Sequence, residues 1–170
     1  CMPLGHAPQD APIGRSDNAV MALVDTAPPI VVLDTNVVLD WLVFRNAGSV
    51  ALAASIVAGE LRWVATTPMR DELAHVLARG HLDAWMPNLP SVWAHWDRHC
   101  VTVATPAPAG PPGRLRCSDP NDQMFIDLAV TCRARWLLSH DRAVLKLARR
   151  LRDHGVDTRP PDGWALPTPA

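Results

Sequence analysis

Ile30-Val31-Val32-Leu33-Asp34-Thr35-Asn36 carries the clearest fold signal in this sequence. Its first four residues are apolar, and three of them are β-branched, which is typical of a strand buried in a parallel sheet. The next three residues are polar and typical of a turn. The heptapeptide therefore predicts a buried strand with an acid, Asp34, at its carboxyl end.

Helical and strand patterns alternate after this first strand. Thr67-Pro68 and Ser118-Asp119-Pro120 are helix-start signals, because a capping side chain precedes a proline. Helices are predicted over residues 37–44, 48–60, 67–79, 91–100, 120–133 and 142–151, and strands over 61–65, 101–103, 136–138 and, more weakly, 154–159. This order predicts an α/β fold, a three-layer α/β/α sandwich around a mostly parallel central sheet.

Length and composition predict one domain with a flexible segment at each end. The 170 residues are 48% hydrophobic, enough to bury a core. Residues 1–29 are proline-rich and predict a flexible leader, residues 30–159 the folded domain, and residues 160–170 a flexible tail. A proline- and glycine-rich stretch over 105–113 predicts a linker or flexible loop.

Charge and cysteine content exclude several classes of protein. Net charge is −1, but residues 111–170 hold ten Arg or Lys and seven Asp, a local excess that predicts either a basic surface or solvated helix faces. The four cysteines form no C-x-x-C pair, which argues against a disulfide framework or zinc knuckle. Without a signal segment or a long apolar run, a cytoplasmic protein that does not enter the membrane is expected.

Four acids occupy places where one site could form. Asp34 and Asp141 follow strands, while Glu72 and Asp122 lie in the first turns of helices. Ligands of such folds bind beyond the carboxyl ends of the strands. Because clustered carboxylates repel one another, they need a compensating cation, and oxygen ligands select Mg²⁺ or Mn²⁺. Two such ions can support phosphodiester hydrolysis.

Each acid also has an ordinary structural explanation. Asp34 or Asn36, Asp119 and Asp141 all precede predicted helices and can act as caps, and Glu72, next to Asp71, can be a solvated helix residue. Their joint placement at strand ends and helix starts favours a shared site.

Three segments resemble the signature blocks of the PIN domain family: VVLDTNVVLDWL (31–42), TPMRDELAHVLARG (67–80) and SDPNDQMFIDLAVTCRARWLLSHDRAVLKL (118–147). The resemblance covers about residues 30–150 and is closest to a bacterial group described as toxin components of toxin-antitoxin systems. It implies a Mg²⁺- or Mn²⁺-dependent endoribonuclease on a small α/β/α sandwich. It also implies RNA as substrate, an antitoxin protein as partner and a homodimer.

The resemblance also implies roles for individual residues. The catalytic, metal-binding acids are Asp34, Glu72, Asp122 and Asp141, supported by Asn36, Asp119 and Ser139. Ser139 and His140 depart from the small residue and glycine usual beside the last acid. Arg116 and Arg142 lie nearest these acids along the chain and are candidates to bind RNA phosphates.

Two other functions remain open at this stage. In a haloacid-dehalogenase-like phosphatase, Asp34 would be the nucleophile, with Lys146 or Asp141 completing the site; that chemistry usually needs a second carboxylate where this chain has Asn36. A non-catalytic PIN-like module would only bind RNA or a protein. The intact set of four acids argues against it.

Overall fold

The computed structural model describes residues 27–108 and 115–167. Five strands are present: β1 (Ile30–Leu33), β2 (Arg62–Thr66), β3 (Cys100–Val103), β4 (Trp136–Leu138) and β5 (Asp157–Arg159). The α-helices are α1 (Thr35–Leu42), α2 (Val50–Val57), α3 (Thr67–Ala78), α4 (Leu89–His99), α5 (Gln123–Thr131), α6 (Arg142–Leu145) and α7 (Ala148–Arg152). Short 3₁₀ turns at Ala47–Ser49 and Asp83–Trp85 precede α2 and α4.

The strands form one parallel sheet in the order β3-β2-β1-β4-β5. β1 is central, as its apolar sequence predicts, and its Val31 and Val32 are fully buried. Helices cover the sheet, and residues from both elements form one hydrophobic core. The predicted three-layer α/β/α sandwich is confirmed, and it brings the carboxyl ends of β1 and β4 side by side.

Most predicted helices differ from the observed ones by one to three residues at their ends, and two differ for a reason that the structure shows. The helix predicted from Pro120 begins at Gln123, because the Asp119 side chain accepts a hydrogen bond from the Asn121 amide (2.9 Å) and forms a local turn instead. The helix predicted over 142–151 is divided into α6 and α7. At the break, the Leu147 amide donates to the Val144 carbonyl, a tighter bond than an α-helix makes.

Residues 1–26, 109–114 and 168–170 lie outside the described residues. The first range contains most of the predicted leader, the second the end of the predicted 105–113 loop, and the third the end of the predicted tail. Within the tail, Trp164 is buried and packs edge-on against Trp136 of β4, with ring centroids 5.4 Å apart. The chain after β5 therefore contributes a large side chain to the core.

In the described ranges, no single helix has the length and apolar character needed to cross a membrane. Thr35–Leu42 and Ala47–Val57 meet the criterion only when taken together, and they are bent by 104°.

Candidate active site

Asp34 and Asp141 lie at the same edge of the sheet because β1 and β4 are neighbours. Leu33 is in register with Leu138, and the Asp34 amide donates to the Leu138 carbonyl (3.1 Å). The chain leaves each strand at this point, so that each acid follows a strand end and begins a helix. Topology thus brings together two acids that are more than 100 positions apart.

Ser139 connects these two acids through its hydroxyl. Its side chain is fully buried, its Oγ donates to Asp34 Oδ2, and the same oxygen accepts from the Asp141 amide (2.9 Å). A hydroxyl can donate one bond and accept others, so one small residue serves both strand ends. Ser139 therefore fixes the positions of Asp34 and Asp141 relative to each other.

Asp34 is nearly inaccessible to solvent, with 2% of its surface exposed. Its Oδ1 atom accepts a hydrogen bond from the Asn36 amide (2.6 Å), so that Asp34 caps α1. Burial raises the pKa of Asp34 and the nearby Asp141 raises it further, although the Ser139 hydroxyl and the Asn36 amide oppose this. The carboxylate form is thus held by hydrogen bonds in a place that disfavours its charge.

Glu72 reaches the site from α3, which begins at Thr67 near the predicted helix start. The cap position is Thr66, one residue before the predicted cap Thr67. Burial raises the pKa of Glu72, a hydrogen bond from Thr35 lowers it, and Asp34 and Asp119 raise it. Its Oε2 atom is buried and has no hydrogen-bond partner among the residues that the structure describes. Such an oxygen is costly to leave unpaired, which makes it a natural ligand atom for a cation.

Asp122 stands immediately before α5 and is half-buried. Burial raises its pKa to about 7, with further contributions from Asp141, Asp119, Asp34 and Glu72. Its Oδ2 atom is also buried, and no atom within 27–108 or 115–167 forms a hydrogen bond with it. These interactions mean that five acids share one electrostatic neighbourhood, which we call the acid cluster: Asp34, Glu72, Asp119, Asp122 and Asp141.

The acid cluster fits a divalent cation in charge and ligand type. Carboxylate oxygens are the ligands Mg²⁺ and Mn²⁺ prefer, and two of them are buried and unpaired. Within the described residues, no three Asp, Glu, His or Cys side chains are already arranged to hold a metal ion. Coordination by this cluster would therefore require carboxylate side chains to rotate toward a common point.

The sequence around these acids matches a known protein family. Residues 30–143 match the sequence model of the PIN domain, which is most of the chain and includes all five acids. The chain belongs to the PIN domain family. PIN domains have a nuclease fold, act on RNA, are often metal-dependent ribonucleases and usually bind divalent metals. No curated protein matches the chain significantly.

Membership in the PIN domain family favours a nuclease over the haloacid-dehalogenase-like phosphatase. The position of Lys146 agrees with this preference, because this residue lines a groove with Arg149 and Arg150 and is not among the groups acting on Asp34. At the coarse level of a PIN domain nuclease, the predicted function stands.

A second groove of this PIN domain, of about 600 Å³, lies on the α3 side and reaches one member of the acid cluster, Glu72. Glu72 lines it together with His75 of α3, Arg79 just after α3, and Asn121 and Met124 of the facing segment. Arg79 also lowers the pKa of Glu72. A polyanion approaching Glu72 would therefore meet a cation at the carboxyl end of α3.

The two candidate phosphate-binding arginines lie in different places. Arg116 is exposed and lines the groove that contains Lys146. Its segment is held by Gln123, whose side chain accepts from the Cys117 amide (2.7 Å) and donates to the Leu115 carbonyl (3.0 Å). Arg142 is exposed at the start of α6 and lines neither groove.

Sequence reasoning did not single out Thr35 or Arg79. Thr35 precedes Asn36 in the first motif, and its contact with Glu72 depends on how α1 and α3 pack, which no local pattern reveals. Arg79 follows α3 and shares a face with Glu72 two turns earlier, a spacing that could have indicated it.

Proposed function

We propose that this PIN domain is a metal-dependent endoribonuclease that hydrolyses phosphodiester bonds of RNA. The observation that carries the proposal is the coupling of five carboxylates, with two buried oxygens lacking partners, at the edge of the sheet where β1 and β4 end. Repulsion of this kind is relieved by a bound cation.

In this proposal Asp34, Glu72, Asp122 and Asp141 hold one or two Mg²⁺ or Mn²⁺ ions. Asn36, Ser139 and Asp119 act through these acids. The Asn36 amide and the Ser139 hydroxyl orient the Asp34 carboxylate, and Asp119 adds negative charge beside Glu72 and Asp122. Hydrogen bonds to metal-binding carboxylates set their orientation and basicity.

The chain's own groups supply positioning and proton transfer. When bound, a divalent ion would stabilise charge on the phosphate and lower the pKa of an attacking water. Asp122 or Asp141 accepts a hydrogen bond from that water and orients it toward phosphorus. As the water oxygen forms a new bond to phosphorus, the water gives a proton to this carboxylate, the bond to the leaving ribose oxygen breaks, and a solvent water supplies the proton that this oxygen takes up.

Purified protein incubated with single-stranded RNA and Mn²⁺ tests this proposal. We expect cleavage that a chelator abolishes and that Asp34→Asn or Glu72→Gln reduces by about 100-fold or more, since each removes a charged ligand. Glu60→Gln is the matched control, because Glu60 is exposed and contributes to no pKa shift in the acid cluster.

The outcomes separate the remaining alternatives. Cleavage that survives both the chelator and Asp34→Asn would exclude the metal mechanism. A protein that binds RNA but shows no saturable Mn²⁺ site in calorimetry would instead be the non-catalytic binding module.

The finer biological role rests on the resemblance of the three motif segments to bacterial toxin components. In that role the protein would act in the cytoplasm as the toxin of a toxin-antitoxin pair, would form a homodimer, and would be restrained by an antitoxin covering the acid cluster. A short reading frame for a DNA-binding protein beside the gene would support this role, and its absence would argue against it.

A further inference from the structure

A groove of about 400 Å³ lies beside the acid cluster, where the 116–118 segment meets α6 and α7. Its lining is strongly basic, and we call it the basic groove: Arg116, Ser118, Ala143, Lys146, Leu147, Arg149 and Arg150. Among the described residues that line it, four have cationic side chains and none is acidic. This distinguishes it from the groove beside Glu72, which has a mixed lining.

Three of the four cations of the basic groove are available to a ligand. Arg116, Lys146 and Arg149 are exposed, and none of the three forms an ion pair within residues 27–108 and 115–167. Like charges on one concave surface repel each other, and an anionic ligand would relieve that repulsion. The groove therefore has the chemistry of a polyanion site.

The basic groove begins at the acid cluster itself. Ser118 precedes Asp119 in the chain, and the Ala143 amide donates to Asp141 Oδ1. Farther along the chain, Lys146 lies at the break between α6 and α7 and Arg149 lies in α7, and both residues line the groove. A nucleic acid strand with one phosphate at the acids would extend its next phosphates into or past this groove.

We propose that the basic groove binds the backbone phosphates of the RNA strand on one side of the scissile bond. This inference rests on the proposed ribonuclease function and adds a substrate-binding surface to it. Arg116 and Arg149 can pair with phosphate oxygens through two N–H groups, and Lys146 contributes a point charge. Because phosphates are the same in every nucleotide, the groove contributes affinity and register but no base specificity.

The test uses the Lys146→Ala/Arg149→Ala double variant, with Arg152→Ala as the matched control. Arg152 is exposed on α7 but does not line the groove. Binding of a fluorescein-labelled single-stranded RNA is measured by anisotropy in EDTA over a range of salt concentrations, so that cleavage does not interfere. All proteins are first compared by circular dichroism to establish that they are folded.

We expect the double variant to bind RNA at least about tenfold more weakly than the wild type. The plot of the logarithm of the binding constant against the logarithm of the salt concentration should become less steep by about 1.4, because two phosphate contacts with a single strand are lost. With Mn²⁺, KM should rise while kcat stays within about twofold, since the groove does not touch the reacting atoms. Arg152→Ala should match the wild type in each measurement.

Each outcome supports or overturns a specific claim. Suppose that the wild type cleaves RNA and that the double variant binds RNA as tightly as Arg152→Ala does. This result would contradict RNA binding by the basic groove but would not contradict the ribonuclease function. A wild type that binds through the groove but does not cleave would support the groove and contradict the ribonuclease. A wild type that neither binds nor cleaves would overturn both.

Discussion

Asp122 shows how a single carboxylate responds to the charges around it. Burial and four other acids raise its pKa to about 7, and the pKa values of Asp34 and Glu72 are raised as well. These groups are easiest to hold together when protonated or when paired with a cation. Their protonation, the stability of the protein and the proposed metal binding are therefore linked.

Removing the charge of Asp122 should stabilise the metal-free protein at high pH. A pKa raised by folding disfavours the folded state once the group ionises, so this destabilisation is absent below about pH 4 and complete above about pH 7. Asp122→Asn should raise the free energy of unfolding by about 1 kcal/mol at pH 8 and change it little at pH 4, the effect being limited by solvent screening.

Urea unfolding in EDTA at the two pH values measures this difference. Asp153→Asn, at an exposed position after α7, is the control and should show no such pH dependence. Equal effects of Asp122→Asn at both pH values would contradict the assigned electrostatic coupling.

At the scale of elements, the turn between β4 and α6 determines how the strand ends meet. Ser139 hydrogen-bonds to Asp34 and to the Asp141 amide, while His140 Nε2 donates to Asp40 Oδ2 of α1 (2.6 Å). The turn is thus anchored to the first strand and to the first helix at once. Ser139 and His140, which depart from the family's usual residues, therefore have structural roles in this chain.

Ser139→Ala should weaken both the fold and the site. It leaves the part-buried Asp141 amide and the buried Asp34 Oδ2 without their shared partner, which should lower the free energy of unfolding by about 1–3 kcal/mol. If the acid cluster binds Mn²⁺, affinity should fall by about 10- to 100-fold, because the Asp34 carboxylate loses an orienting bond. Urea unfolding and calorimetry measure the two effects.

The control for this variant is Ser91→Ala, at an exposed position of α4. A Ser139→Ala protein as stable as Ser91→Ala would mean that the hydroxyl does not connect the two strand ends. Unchanged Mn²⁺ affinity with reduced stability would instead place Ser139 outside the metal site.

Elements with a strong local sequence pattern were predictable. Helix ends and breaks at which side-chain or turn hydrogen bonds compete with helical ones were not predictable. The strand at Ile30–Leu33 and the start of α3 at Thr67 agree with the structure because burial and helix-start preferences act on adjacent residues. The turn predicted after this strand is instead the start of α1, and the cap of α3 is one residue earlier than predicted. The start of α5 and the break after α6 depend on an Asp119 side chain that outcompetes the helix and on a tight turn at Leu147. Neighbouring residues alone do not decide such competitions.

At the scale of the whole molecule, the topology of the parallel sheet was predictable, but side-chain contacts across it were not. Alternating elements imply that Asp34 and Asp141 share an edge, and they do. The pairing of Thr35 with Glu72 and the grouping of Arg116 with Lys146 depend on helix packing. The excess of basic residues over 111–170 left a basic surface and solvated helix faces as alternatives, and it could not locate a groove.

Substitution of Trp164 can test how far the folded domain extends beyond β5. Its ring is 3% exposed and packs against Trp136 in the strand that leads to Ser139 and Asp141. Trp164→Ala should therefore lower the free energy of unfolding by about 3–5 kcal/mol in urea unfolding, because it leaves a cavity against β4. Trp85→Ala, which removes a ring that is 60% exposed, should change stability by no more than about 1 kcal/mol. Equal losses from the two variants would mean that residues after Arg159 are not part of the core, and the folded domain would then end at β5.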